Sequence, residues 1–406
     1  MGVLMPNKTV EKPSAIVVGG GPVGLTAGIA LAGAGVATLL VAPRPARRDN
    51  RTTALFAGSV AALKAIDVWP RCAEHAAPLK IMRIIDDTGR LWRAPEVKFS
   101  ADEIGLGAFG YNIENSHLIA AMEQRADALA NLQMVEDEVQ SVTPLDDAVT
   151  LELKSGRTLR APLVIAADGR HSLCRAAAGI AVDERDYEQV ALTACVSHTR
   201  PHGDTSTEFH TPSGPFTLVP LPNRRSSVVW VLDPAQAGSV AGLDDAELAE
   251  RIERASHSIL GKITVEPGRG LFPLSVAIAR QFGARRIALV GEAAHVIPPI
   301  GAQGLNLGLR DAACVGELVV AAQRNGEDIG GVLAAYETMR RADVASRTLA
   351  VDLLNRSLLT DFLPVQGMRG LGLYMIDRIG PLRRAVMREG VAPAAAEPRL
   401  MRGEAL

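Results

Sequence analysis

The segment SAIVVGGGPVGLTAGIALAGAGVATLLVA, Ser14 to Ala42, constrains this chain more than any other. From Pro13 to Pro43 no residue is charged, although a spanning helix needs only about 20 apolar residues. The GGGP at Gly19–Pro22 breaks the run, and a membrane tolerates no such lipid-exposed turn. What remains reads as a buried strand over Ala15–Val18, a turn, a small-residue helix over Leu25–Ala34 and a second buried strand over Ala37–Val41. Gly19, Gly21 and Gly24 stand at GxGxxG spacing where strand meets helix. Gly19 permits the tight turn, Gly21 admits a pyrophosphate to the backbone, and Gly24 lets helix and strand pack closely. The helix N-terminus then faces the anion.

One part of that signature is missing. The second strand should end on an acid that binds the adenosine ribose, but Val41, Ala42 and Pro43 stand there. Arg44, Arg47 and Arg48 follow, and they read either as contacts to a 2′-phosphate or as a solvated basic loop. Arg51, just before a helix expected over about Ala54–Ile66, is placed to reach the pyrophosphate.

At 406 residues the chain can hold two domains, or one large α/β domain with an insertion. Its hydrophobic content of 48% fits a well-packed globule, and its net charge of -2 gives no basic face for nucleic acid. Cys72, Cys174, Cys195 and Cys314 are far apart without a CxxC pair, which suits a reducing cytosol and small core residues. The opening MGVLMPNKTVEK lacks the apolar centre of a signal peptide.

Further along, residues 131–167 read as a meander that leads through the buried strand Leu163–Ala166 into Asp168-Gly169, Ser172 and Arg175. A carboxylate at the C-terminal end of an α/β strand is a common ligand position. Residues 189–232 are strand-rich and read as a separate substrate layer. His198, His202 and His210 invite a metal reading, which the intervening Pro201, Gly203 and Asp204 and the lack of a second ligand cluster weigh against.

Three motifs therefore stand in order: GGGPVG, ADGRHSLCR and VGEAAHVIPPIGAQGLNLGLRDA. Together they resemble the flavoprotein aromatic hydroxylases, the family of p-hydroxybenzoate hydroxylase, and most closely its ubiquinone-biosynthesis group (UbiH/UbiF-like). The resemblance implies an α/β fold: a Rossmann-like, glutathione-reductase-type FAD-binding domain over 14–80, 118–178 and 283–350. An inserted β-sheet substrate domain would take 81–117 and 179–282, and a C-terminal helical segment 351–406. Gly19, Gly21 and Gly24 would bind the FAD pyrophosphate, with Arg51 and Asp168 along the same diphosphate and ribose region. Gly291 and Glu292 would lie at the ribityl chain, and Pro299, Gly301, Gln303, Gly304, Leu305 and Asn306 around the flavin ring. Pro299, Gly301 and Gln303 would form the environment of the reacting ring, with no dedicated acid or base. Two positions depart from the family: Ala42 replaces the ribose-binding acid, and Glu292 the usual aspartate. His295 reads as structural, its imidazole bonding a nearby backbone group.

The implied reaction is hydroxylation of a polyprenylated phenol in ubiquinone biosynthesis by way of a flavin C4a-hydroperoxide. FAD is the cofactor, O2 the co-substrate, and NAD(P)H or a redox partner the electron donor. No second GxGxxG unit is present for a nicotinamide, since GMRGLG at Gly367–Gly372 lacks a preceding strand. The same fold also serves epoxidases, prenyl reductases and halogenases, but Trp69, Trp92 and Trp230 are isolated and make no WxWxIP halogenase motif. A flavin-binding scaffold in a biosynthetic complex is the non-enzymatic alternative. A long helix is expected over Asp311–Arg347, with a break near Asn325–Gly331. Ser357–Arg388 is basic and amphipathic; it reads either as a peripheral contact with the inner face of the membrane or as a helix packed on the protein. The expected setting is the cytoplasm.

Overall fold

A computed structural model describes residues 10, 12–43, 51–89, 95–299, 301–359, 372, 374–375, 378–391 and 397–406. Arg44, Arg47, Arg48 and Trp92 lie outside the described residues, as does most of Gly367–Gly372.

The uncharged N-terminal run supplies the centre of a six-stranded sheet. Its order is Gly283–Ala284, Ile287–Leu289, Leu163–Ala166, Ala15–Val18, Thr38–Ala42, Leu132–Glu136. Ala15–Val18 pairs in parallel with Leu163–Ala166 on one side and Thr38–Ala42 on the other. A parallel sheet is covered on both faces, so its strands read as unbroken apolar runs rather than alternating ones. The helix Pro22–Gly33 covers part of this sheet and is apolar nearly all round, with nine of its residues buried.

A nine-stranded sheet forms the second layer. Its central strands Val182–His198, Arg225–Leu232, Gly214–Leu221 and Thr205–Thr211 pair as antiparallel neighbours. Thr205–Thr211 then runs parallel to Ile81–Asp86. The helices Pro234–Ala241 and Asp245–Ala255 cover one face, burying Leu192, Phe216, Val228 and Trp230 against Val240, Leu248 and Ile252. Ions and side chains tie the nine-stranded sheet to a small three-stranded one of order Thr52–Phe56, Gly110–Glu114, Ala76–Leu79. Arg225 makes paired hydrogen bonds to Glu266 (2.8 and 2.6 Å) and to Glu114 (3.0 and 3.1 Å), and Asn112 donates to the Pro220 carbonyl and Ser227.

Two elements differ from expectation. The segment before the second helix is first a strand, Thr52–Phe56, antiparallel to Gly110–Glu114; the helix is Ala57–Ala65. The β-branched pair Thr52–Thr53 favours a pleated surface, and the partner strand is distant in sequence. The long C-terminal helix begins at Gln303, eight residues before Asp311, and ends at Asn325 on a left-handed Gly326. Its first turns carry Gly304 and Gly308, which lower helix propensity and read locally as loop; packing on Pro22–Gly33 overrides them. Residues Ile329–Val332 form a 3-10 turn before the helix Leu333–Leu359.

The three histidines are bonded locally. His198 lies between the Arg200 carbonyl and Ser226, His202 bonds the Leu221 carbonyl, and His210 meets Glu208.

Tyr336, fully buried, donates to the Leu289 carbonyl at 2.7 Å and fastens the last long helix to the sheet. Tyr336→Phe leaves that buried carbonyl short of a partner and is expected to cost about 1–3 kcal/mol in urea unfolding. Flavin affinity, measured by fluorescence quenching, is expected to stay unchanged.

Candidate flavin site

The site is built where three chain segments leave the six-stranded sheet. At the first, Gly19 has φ +118°, and a Cβ there would lie 2.2 Å from the Ala167 carbonyl oxygen. A Cβ on Gly24 would lie 2.0 Å from the Gly19 carbonyl oxygen. Both glycines are therefore dictated by the protein's own backbone. Gly21 is different: a Cβ there meets no heavy atom within 4 Å. It caps the helix Pro22–Gly33 without a side-chain bond, and Pro22 offers no N–H. The first-turn amides of Val23 and Gly24 thus face outward with the positive end of the helix dipole.

At the second segment, Asp168 sits at the end of Leu163–Ala166. Its carboxylate accepts from the Ser172 hydroxyl at 2.6 Å and the Cys174 amide at 3.1 Å, and Ser172 caps the following helix by accepting from the Arg175 amide. Arg175 donates to the carbonyls of Ala293 and Arg170, each at 2.8 Å. Asp168, Ser172 and Arg175 thus form a self-locked loop that is fastened to the third segment.

The third segment leaves Ile287–Leu289 through a 3-10 turn at Gly291–Ala293 and crosses to the nine-stranded sheet as His295–Val296. Gly291 (φ +61°) packs on Val23, and a Cβ on Gly308 would come within 2.6 Å of the same side chain. The starts of two helices and the Gly291 turn therefore meet at Val23. His295 is buried, and its Nε2 donates to Asp311 Oδ2 at 2.6 Å. The expected backbone partner is thus replaced by a carboxylate, brought beneath the turn by a helix that sequence placed only from Asp311 onward.

Beyond His295 the chain becomes bare. Pro299 and Gly301 are exposed, Gly301 is left-handed (φ +67°), and a Cβ on Gly301 or Gly304 meets nothing within 4 Å. Ala302 is also left-handed (φ +53°), costly for a residue with a Cβ, and it caps the helix Gln303–Asn325 without a side-chain bond. The amides of Gln303, Gly304 and Leu305 therefore open a second uncapped helix N-terminus. The Asn306 side chain is fully engaged: it accepts from Phe56 N (2.9 Å) and Ser59 Oγ (2.7 Å) and donates to the carbonyls of Ala54 (2.8 Å) and Ala302 (2.7 Å). It fixes the helix start against Thr52–Phe56 and leaves only its backbone for a ligand. Gln303 accepts from Arg347 at 2.9 Å.

Arg347 is the end of a buried ion network that sequence reading missed, because its members come from a short strand and two long helices. Asp311 accepts from Gly291 N (3.0 Å), His295 and Arg340 Nε (2.7 Å). Asp343 accepts from Arg340 (2.6 Å), Arg310 (3.0 Å) and Arg347 (2.9 Å). Burial pushes the Asp343 carboxyl up, but Arg340 and Arg310 outweigh it and bring it down to about 2. Burial raises Asp311 likewise, and His295 and Arg340 hold it below the ordinary carboxylate range.

Two expected residues remain, Glu292 and Arg51. Glu292 is exposed and makes no hydrogen bond to a described residue. Arg51 lies with its guanidinium 5.6 Å from the Phe272 ring centre, on the nine-stranded sheet. Beside Ala42, in register on the neighbouring strand, stands Glu136, a carboxylate invisible to a motif search confined to the second strand. An apolar cluster of Phe56, Met82, Phe99, Phe109 and Met387 reaches Ala302. Two outward-facing helix N-termini joined by unfilled glycine backbone suit a pyrophosphate and the electron-rich edge of a planar ring.

Two glycine variants separate the roles. Gly24→Ala is expected to cost more than the about 1–3 kcal/mol of ordinary overpacking, seen as insoluble protein or a large fall in Tm. Gly21→Ala is expected to keep the apoprotein Tm while weakening flavin binding at least tenfold by titration.

The Asp343 shift fixes a pH dependence. Its folded pKa of about 2 lies below the ordinary 3.8, so its stabilisation is present above about pH 4 and is lost as pH falls towards 2. Urea unfolding between pH 5 and 2.5 is expected to show an added loss approaching about 2 kcal/mol that Asp343→Asn lacks.

Residues 12–351 match the family model described as FAD binding domain. The ubiquinone hydroxylase UbiL of Rhodospirillum rubrum is 34% identical over 400 residues, 96% of this chain and 92% of that protein. The 3-demethoxyubiquinol 3-hydroxylase of Escherichia coli is 33% identical over 383 residues, 92% of this chain and 96% of that protein. Among solved structures, p-nitrophenol 4-monooxygenase PnpA from Pseudomonas putida superposes with a TM-score of 0.77 at 21% identity, covering 93% of this chain and 97% of that one. Klebsiella pneumoniae HpxO, complexed with FAD and uric acid, gives 0.73 at 20% identity, covering 96% and 99%. At such identities the structures speak for the fold, while the sequence matches speak for descent. The chain belongs to the FAD-binding-domain family of flavin-dependent monooxygenases, in its ubiquinone-hydroxylase group.

Proposed function

We propose that this protein hydroxylates the aromatic ring of a polyprenylated phenol in ubiquinone biosynthesis, with FAD as cofactor, O2 as co-substrate and NAD(P)H or a redox partner as electron donor. The observation that carries the reading is the bare segment Gly301–Leu305, an uncapped helix start whose neighbour Ala302 borders an apolar cluster. When bound, FAD supplies the activation of O2 and the transfer of one oxygen atom to an electron-rich ring.

The protein's own residues bind, orient and keep the site dry. Gly21 and the first turn of Pro22–Gly33 would hold the pyrophosphate, with Arg51 and the Asp168 loop alongside. Glu136, in register beside Ala42, would take the place of the missing ribose acid. Glu292 would meet the ribityl chain, one methylene further out than the family aspartate. The amides of Gln303, Gly304 and Leu305, at the positive end of a long helix, would stabilise negative charge on the reduced ring. Pro299 and Gly301 would shape its environment. Phe56, Phe99 and Phe109 offer an apolar wall that excludes water from the reacting centre. His295, the one imidazole near the bare segment among the described residues, is committed to Asp311. A lipid-like substrate would be met at the inner face of the membrane, where partners of a biosynthetic complex would also meet it.

Purified protein is expected to be yellow or to bind FAD, and to oxidise NAD(P)H faster when a phenol is added. Deletion of the gene is expected to accumulate a ubiquinone precursor lacking one ring hydroxyl. Protein that neither carries nor takes up flavin would sink the reading.

A further inference from the structure

The C-terminal helical segment carries a surface that flavin chemistry does not use. Among the described residues, Tyr374, Met375, Ile379, Leu382 and Val386 are 38% to 49% exposed, a concentration of large apolar side chains within thirteen positions. Met375, Ile379, Leu382 and Val386 follow at intervals of four, three and four residues. Helical hydrogen bonds from Ile379 N to Met375 O (2.8 Å) and from Arg383 N to Ile379 O (2.9 Å) carry that spacing into the helix Gly380–Val391. Leu382 and Val386 therefore form a stripe along one side of that helix, and Ile379 and Met375 lead into it from the preceding turn.

Another side of the same helix is already used. Met387 is buried in the cluster with Phe56, Phe99 and Phe109 that reaches Ala302. Arg383 bonds Glu103 at 2.6 Å and lies 4.7 Å from the Phe99 ring centre. The helix is thus anchored to the protein through Arg383 and Met387, and the stripe is left over. Arg378, Arg384 and Arg388 are exposed on the same segment, against Asp377 and Glu389 in the sequence.

We propose that this face docks on an anionic lipid surface, the segment lying in the plane of the interface with Met375, Ile379, Leu382 and Val386 immersed. An apolar stripe on a basic helical segment binds such a surface by area buried plus attraction to acidic headgroups. A second copy of the chain would set the same arginines against one another. Among the described residues no helix is long and apolar enough to cross a membrane, so attachment is by this face. Docking also sets the apolar cluster beneath Met387 against the bilayer, where a prenyl tail would enter; that consequence rests on the proposed function, whereas the docking does not.

The test uses full-length, flavin-loaded protein sedimented with phosphatidylglycerol–phosphatidylethanolamine vesicles and with phosphatidylcholine vesicles. Wild type is expected to bind the anionic vesicles, and the double variant L382E/V386E to stay in the supernatant. Arg378→Gln, Arg384→Gln and Arg388→Gln are each expected to weaken anionic binding about fivefold, with no effect on flavin content or Tm. Wild type that ignores anionic vesicles, or L382E/V386E that binds as wild type does, overturns the proposal. A dimer that L382E/V386E converts to monomer, without vesicle binding, overturns it in favour of a second copy. Oxidation of a short-chain, water-soluble phenol separates the two readings. Failure of all proteins to oxidise both this phenol and a polyprenylated phenol in detergent, with vesicle binding following the expected pattern, supports the docking and overturns the proposed substrate.

Discussion

A single buried carboxylate, that of Asp311, holds the flavin-binding end of the molecule together. Taking an ion out of water costs several kcal/mol, so its place in the core requires full compensation. Gly291 N, His295 Nε2 and Arg340 Nε all donate to it. Those three donors lie on the turn after the six-stranded sheet, on the crossing strand to the nine-stranded sheet and on the last long helix. Arg340 passes the constraint to Asp343, and Arg347 passes it on to Gln303 at the start of the bare segment. An ionised carboxylate only accepts, so Nε2 of His295 must carry its proton towards Asp311. The imidazole is thereby a strut.

With that frame fixed, the glycines divide into two kinds. Gly19, Gly24 and Gly308 are required because protein atoms occupy the space a Cβ would need. Gly301 follows from its left-handed φ of +67°, whereas Gly21 and Gly304 border open space, so packing within the chain does not explain them and their backbone is left open to a ligand. The left-handed Ala302 between Gly301 and Gln303 points the same way, since strain of this kind persists where the surroundings over-determine it. Asn306 supplies part of that determination by spending all its polar capacity on four neighbouring groups.

Much of this was legible in the sequence where the physics is local. GxGxxG between a strand and a helix needs only a few consecutive residues to specify its geometry, and the structure sets Ala15–Val18, Pro22–Gly33 and Thr38–Ala42 in that order. Legibility fell where tertiary pairing decides. Thr52–Phe56 is a strand because Gly110–Glu114 lies beside it, and its apolar pattern alone suited a helix equally well. The glycines at 304 and 308 hid two turns of helix, which packing on Val23 recovers.

The order of motifs along the chain by itself determined the α/β fold, the glycine turn, the Asp168 loop and the bare stretch after His295, because each is encoded by neighbours a few residues apart. Only the tertiary structure decided what stands across from them: Asp311 under His295, Glu136 beside Ala42, Arg347 on Gln303 and Met387 over Phe99 and Phe109. These partners are 16 to nearly 300 positions apart in sequence. A residue pattern records what each position can offer, while pairing across such separations exists only once the sheets have closed.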